Sequence, residues 1–315
     1  MNKIDRFAGC MLGAAIGDAF GMPTECISEQ DLRERYNGKV TDFVEPISPH
    51  PNQHLSAGQY TDDAQQMIIL AESLRHNDGL DIKDFGRRFA EWGRKNREDK
   101  NYWRFPGSTS LRAAEELEKG VSPYESGSQH TTSCGSAMRV APIGLLYHGN
   151  IEQAIKQAEL SSMISHNTQA CKDGAKMVAL TVANLLNEMP PVEAVLKASE
   201  SLKDEILTGS ILYAIKNRDQ SPSRISLGKS SSIYDTVPFA VYSFLHSPEN
   251  FREIMITAAN AVPGDTDSFA CIGGAFAGAH LGVDKIPTSL KTRLEDYPLI
   301  KRVAEDLYGC HLRQK

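Results

Sequence analysis

The sequence predicts an all-α fold, a compact multi-helix bundle of orthogonal type built as one domain over residues 1–315. Three observations carry that expectation. Apolar residues recur at three- and four-residue spacing through most of the chain. Period-two alternation of strand length is scarce. No tandem repeat and no linker-like stretch divides the chain, so the helices are expected to share one core.

The first helix is expected over about residues 4–21, with Phe7, Met11, Leu12, Ala15 and Ile16 on its apolar side. Gly9, Gly13, Gly17 and Gly21 fall on one ridge of it. Each glycine costs about 1 kcal/mol of helix propensity relative to Ala, which is reasonable where a second backbone packs very close. Residues 7–20 are too few to cross a bilayer and carry Asp18 near their end, so we read neither a membrane span nor a targeting segment. Residues 36–60 hold Pro46, Pro49 and Pro51 with Gly38 and Gly58 and read as a long irregular connection. Those prolines deny His50 and His54 a shared helix and argue against a zinc pair.

A helix then follows Thr61, with Met67, Ile68, Leu70, Ala71 and Leu74 at helical spacing. Another spans about 82–94, with Phe85, Phe89 and Trp92, and ends in a charged run over 94–100 that reads as a solvated turn. After Trp103 to Thr109 comes a helix over about 110–119. Residues 131–139 are rich in small residues and precede an apolar stretch at 140–147. Amides of such a turn can hold phosphate oxygens at a helix N-terminus, and a plain turn capped by Ser133 or Ser136 explains the same residues equally well. No Walker lysine is present. Further helices are expected over about 151–164, 169–187, 192–207, from Asp235 or Thr236 through 244, then 248–261, 266–281 and 290–308. Residues 218–232 form a polar, serine-rich loop.

Composition narrows the function classes. The chain is 41% hydrophobic and 23% charged with a formal net charge of -6, ordinary for a soluble globular protein and contrary to a broad nucleic-acid-binding surface. An anionic ligand must therefore be met by local amides, metal ions or a few Arg and Lys side chains. Six scattered cysteines without a C-x-x-C pair point to the cytoplasm. Cys134 has no His or other base beside it to mark a nucleophile.

Two helix mouths stand out chemically. Thr61-Asp62-Asp63 and Asp265-Thr266-Asp267-Ser268 each put acids and hydroxyls at the start of an apolar helix. One acid at a helix start is a cap. Two acids and a hydroxyl at each of two mouths exceed what capping needs. If the mouths meet, four carboxylates repel and raise one another's pKa values unless a cation lies between them. Oxygen-only ligands select Mg²⁺, Mn²⁺ or Ca²⁺ over Zn²⁺, and the paired motifs favour a two-metal site at converging helix N-termini.

Five ordered motifs resemble the ADP-ribosylglycohydrolase family, which includes the glycohydrolase that reactivates ADP-ribosylated dinitrogenase reductase. They are the stretch from Gly13 through Gly17-Asp18 to Glu25, Thr61-Asp62-Asp63, Gly135-Ser136-Ala137-Met138-Arg139, Ser165-His166-Asn167, and Gly264-Asp265-Thr266-Asp267-Ser268. The resemblance implies a hydrolase that removes ADP-ribose from an acceptor borne by a protein, a nucleic acid or a small molecule. It implies two Mg²⁺ or Mn²⁺ ions on Thr61, Asp62, Asp63, Asp265, Asp267 and Ser268. Glu25 and Asp63 are then the catalytic carboxylates. Gly135, Ser136, Ala137 and Met138 cradle the diphosphate, and His166 contacts a ribose hydroxyl or phosphate. Tyr234, an aromatic at the border of the serine-rich loop, is placed either to stack on adenine or to pack in the core. Members that act on ADP-ribosyl-arginine carry an acid near the turn where Pro106-Gly107 stands here, which argues against arginine as the acceptor. Two other readings stay open: a non-catalytic ADP-ribose-binding or crystallin-like protein, and a hydrolase of another ADP-ribose derivative.

Overall fold

Fifteen α-helices occupy the described residues, 2–314, of the computed structural model. They are α1 (Lys3–Gly21), α2 (Glu29–Arg35), α3 (Asp62–His76), α4 (Ile82–Glu98) and α5 (Ser108–Glu118). Next come α6 (Ala141–Leu146), α7 (Ile151–Met163), α8 (Gln169–Leu186), α9 (Pro191–Ser199) and α10 (Glu205–Lys216). The last five are α11 (Ile233–His246), α12 (Phe251–Ala259), α13 (Thr266–Leu281), α14 (Thr288–Arg293) and α15 (Tyr297–Arg313). The only β-type pairings among the described residues are isolated bridges, Ser128 with His166 and Ser133 with Ser232. The architecture is all-α.

The glycine ridge explains how the bundle is centred. On α1, a methyl at Gly13, Gly17 or Gly21 would overlap the backbone of Gly274, Ala270 or Thr266, and one at Gly9 would lie 2.5 Å from the Gly278 carbonyl oxygen. The pairs run in opposite order, so α1 and α13 are antiparallel and in backbone contact. Nearly every residue of both helices is buried, as expected of a pair apolar all round. This packing brings the C-terminal end of α1 against the N-terminal end of α13. Thr266 Oγ1 on α13 fixes the join by donating to the Gly21 carbonyl at 3.0 Å, and Thr24, in the 3₁₀ turn after α1, donates to the Ala259 carbonyl of α12 at 2.6 Å.

Three expectations are corrected. The helix expected over 192–207 breaks into α9 and α10. Asp173 on α8, fully buried, accepts the amides of Lys203 and Asp204 at 2.6 and 2.7 Å, and Asp204 then caps α10. The helix expected over 290–308 is α14 and α15, separated at Asp296, whose φ of 55° is left-handed, with Pro298 in the first turn of α15. Neither Asp235 nor Thr236 caps α11; Ser232 accepts from the Tyr234 amide instead. The short α2, closed by a Ser28–Asp31 capping box, lies in a stretch for which no helix was expected. Residues 36–60 contain no helix or strand, as their prolines imply. Tyr36 and His50 pin them near the site, through the Pro23 carbonyl at 3.2 Å and the Glu25 carbonyl at 3.0 Å.

Candidate active site

The two helix mouths meet. At α3, Thr61 is the N-cap residue, and the orphan amides of Thr61 and Ala64 are taken at 2.8 Å each by Asp18, buried on α1. Because Asp18 fills the capping role, Asp62 and Asp63 are released from it and line a cavity of about 500 Å³. At α13 the Asp265 side chain does not cap either. Its Oδ2 accepts from Thr236 Oγ1 at 2.8 Å and from Cys134 Sγ at 3.2 Å. Ser268 Oγ donates to Asp63 Oδ2 at 2.8 Å, and Thr61 Oγ1 donates to Asp267 Oδ2 at 3.4 Å. Glu25, half-buried just past α1, places a carboxylate oxygen within 4.8 Å of oxygens of Asp265 and Asp267.

Crowding governs the charge of this cluster. Burial, then repulsion from Asp267, Asp265 and Asp62, pushes the Glu25 carboxyl well above the usual range. Burial followed by neighbouring acids does the same to Asp62, Asp63 and Asp267. Asp265 is raised by burial although Thr236 and Cys134 donate to it. The donors are all oxygen, buried and mutually repelling, and no Arg or Lys side chain pairs with any of these five acids among the described residues. Such a set suits a hard divalent cation.

The facing wall is built from the small-residue turn. Gly135 and Met138 line the cavity with Ser133, Cys134 and His166. Ser136 and Ala137 are fully buried, and Ser136 Oγ donates to the Cys171 carbonyl at 3.2 Å. The Ala137 and Met138 amides both turn to the Cys134 carbonyl, leaving those of Gly135 and Ser136 without a protein acceptor among the described residues. A Cβ on Gly135 would sit 2.6 Å from His166 Cε1, so glycine is required for the imidazole to lie there. His166 is held by Ser165 Oγ at 2.8 Å on Nδ1 and Ser133 Oγ at 2.9 Å on Nε2. Burial, reinforced by the nearby Arg139 charge, pushes it down to about 3, so the imidazole is neutral. Tyr234 is not brought to this cavity wall; its hydroxyl donates to Asp204 at 3.0 Å. The aromatic surface on the wall belongs to Trp103 and Phe105, the latter with a left-handed φ of 55°.

Sequence reasoning gave no site role to Asp18, Thr236, Gln66 or Arg139. Asp18 had a visible signal, an acid inside an otherwise apolar glycine-ridged helix. The others are recognisable only once the helices are packed.

A family model described as ADP-ribosylglycohydrolase matches residues 1–315. The chain belongs to the ADP-ribosylglycohydrolase family. A protein of Archaeoglobus fulgidus, described as uncharacterized, is 38% identical over 98% of each chain. Human ADP-ribosylhydrolase ARH3 is 28% identical over 98% of this chain and 94% of its own. A solved structure described as an ADP-ribosylglycohydrolase-related protein complex superposes with a TM-score of 0.80 at 25% identity, over 98% of this chain and 99% of the other. As an ADP-ribosylglycohydrolase the protein is a glycosidic hydrolase of ADP-ribosylated substrates, and the acidic cluster agrees with metal dependence. No helix among the described residues is long and apolar enough to cross a membrane.

Proposed function

We propose that the cavity at the α3 and α13 mouths hydrolyses the glycosidic bond joining ADP-ribose to its acceptor, with two Mg²⁺ or Mn²⁺ ions held by Thr61, Asp62, Asp63, Asp265, Asp267 and Ser268. The observation that carries this reading is the convergence of Asp62, Asp63, Asp265, Asp267 and Ser268 with Glu25 on the cavity lining, with Thr61 Oγ1 behind them on Asp267. When bound, such ions supply Lewis-acid polarisation and a template for ribose hydroxyls. Glu25 is less buried than the Asp residues, and its raised pKa suits a group that gives a proton to the leaving atom and takes one from water. Asp63, fixed by Ser268, is the second carboxylate positioned for proton transfer.

On the facing wall, the unused Gly135 and Ser136 amides suit the diphosphate, with Ala137 and Met138 closing the turn beneath them. His166, neutral at working pH, suits a ribose hydroxyl or phosphate oxygen without adding charge. Trp103 and Phe105 replace Tyr234 as the aromatic surface open to adenine. Pro106 and Gly107 line the cavity and bring no acid to it, which disfavours a guanidinium acceptor. One contiguous buried cluster joins all parts of the chain, so we take residues 1–315 as a single domain. The six cysteines are free, as suits a reducing cytoplasm.

Calorimetric titration of ADP-ribose with Mg²⁺, and again with excess EDTA, tests the site, and turnover of arginine-, serine- and nucleobase-linked substrates tests the acceptor. Binding is expected only with metal. Asp62→Ala and Asp267→Ala are expected to abolish metal binding and turnover together, and full activity of either variant in chelator refutes the assignment.

A further inference from the structure

Arg139 is fully buried, and its guanidinium lies 4.9 and 5.6 Å from the ring centroids of Phe89 and Phe85. It has no carboxylate at ion-pair distance among the described residues. A buried charge without a counter-ion costs several kcal/mol, and a neutral side chain of similar volume would fill the same space. What guanidinium offers is a rigid fork that can only donate. Its two arms point into two hydrogen-bond chains that run to opposite walls of the cavity.

Along one chain, Arg139 Nη1 donates to Gln66 Oε1 at 2.8 Å, and Gln66 Nε2 donates to Asp62 Oδ2 at 2.7 Å. Because arginine cannot accept, the Gln66 amide has one permitted orientation, with its Nε2 held toward Asp62 Oδ2. Along the second chain, Arg139 Nη2 donates to Ser165 Oγ at 2.7 Å, and Ser165 Oγ lies 2.8 Å from His166 Nδ1. The lone hydroxyl proton of Ser165 then has one acceptor among its partners, His166 Nδ1. A neutral imidazole with Nδ1 accepting carries its proton on Nε2, which faces Ser133 Oγ at 2.9 Å on the cavity wall.

We infer that Arg139 is a positioning residue that polarises both chains, fixing the Asp62 carboxylate on the metal side and locking His166 as the Nε2–H tautomer on the ligand side. His166 thereby donates its fixed, uncharged Nε2–H to Ser133 Oγ, and the pair presents that proton and the Ser133 hydroxyl on the cavity wall to an oxygen of the bound ligand, a phosphate or ribose oxygen on the ADP-ribose reading. The ligand half rests on that reading; the tautomer half does not.

The test uses the full chain with ¹⁵N-labelled histidine, its nine histidines sorted by loss of one signal in His166→Asn. Long-range ¹H–¹⁵N correlation is expected to show His166 protonated at Nε2 and bare at Nδ1. In Ser165→Ala, Nδ1–H becomes populated, and ADP-ribose binds about tenfold more weakly for the loss of one hydrogen bond. Mn²⁺ affinity there stays within about twofold. In Gln66→Met the pattern reverses: Mn²⁺ weakens about tenfold while the tautomer holds. Arg139→Lys, which cannot fork, loses both. A wild-type His166 protonated at Nδ1 overturns the inference, as do Ser165→Ala and Gln66→Met variants that weaken Mn²⁺ and ADP-ribose equally with the tautomer intact. Wild-type protein with the Nε2–H tautomer that ignores ADP-ribose supports the relay and overturns the ADP-ribose reading instead.

Discussion

Raising the pH should weaken the metal-free fold and leave the metal-loaded fold nearly unaffected. Burial raises the Asp18 carboxyl from 3.8 to about 6, although the amides of Thr61 and Ala64 donate to it. Below about pH 4 it is protonated in both the folded and the unfolded chain and makes no difference. Between about pH 4 and 6 the unfolded chain releases this proton first, so each rise in pH favours unfolding. The loss reaches about 3 kcal/mol once the pH passes the folded value. Glu25, Asp62, Asp63 and Asp267 add to it in the same direction, through burial and then repulsion from neighbouring acids. A divalent cation among these carboxylates offsets both contributions. In a chain of 315 residues, about 3 kcal/mol corresponds to roughly 5 °C in Tm. Differential scanning calorimetry from about pH 4.5 to 7.5, in EDTA and in excess Mn²⁺, reads the effect. The Mn²⁺ curve should rise above the EDTA curve as the pH increases, by roughly 5 °C or more at the upper end. Parallel curves would refute the coupling of these acids to a cation.

Three further outcomes follow from the packing. Gly17→Ala drives a methyl into the Ala270 backbone and should cost about 3 kcal/mol in urea unfolding while weakening Mn²⁺ binding; a cost under about 1 kcal/mol contradicts the close approach. Lys176→Met removes the ammonium that lies 2.7 Å from fully buried Asp173 and 3.0 Å from Glu159, and should cost about 3–5 kcal/mol because one carboxylate is left buried and unpaired. Arg104→Ala releases the fork that holds Glu295 at 2.8 and 2.9 Å and the Tyr60 carbonyl at 2.7 Å. With the Trp103–Gly107 rim loosened, KM should rise severalfold at nearly constant kcat, and an equal fall in kcat would place Arg104 in the chemistry instead.

Helix identity and both acidic mouths are legible in the sequence because their causes are local: apolar periodicity, and acids gathered beyond what a cap requires. A close backbone partner for α1 is legible too, since four glycines at four-residue spacing are costly without one; that the partner is α13 emerges only from the packing. The break between α9 and α10 is not, because the side chain that captures its amides, Asp173, lies some thirty residues upstream on another helix. Tyr234 shows the same limit: a border aromatic has the right chemistry, and only packing decides that its hydroxyl goes to Asp204.

The glycine ridge and the acidic site are one device. Packing of Gly21 against Thr266 sets the register between the end of α1 and the start of α13. Asp18 reaches the α3 mouth from the same helix end, and Glu25 follows four residues past Gly21. Sliding α1 along α13 by one helical turn, about 5.4 Å, would exceed the 4.8 Å span that holds oxygens of Glu25, Asp265 and Asp267 together. Larger residues on the ridge would separate the helices and move the same atoms apart. The four-residue glycine spacing thus encodes the positions of carboxylates that lie more than two hundred residues apart in the chain. A ridge that is expensive for an isolated helix is accounted for by the site it aligns.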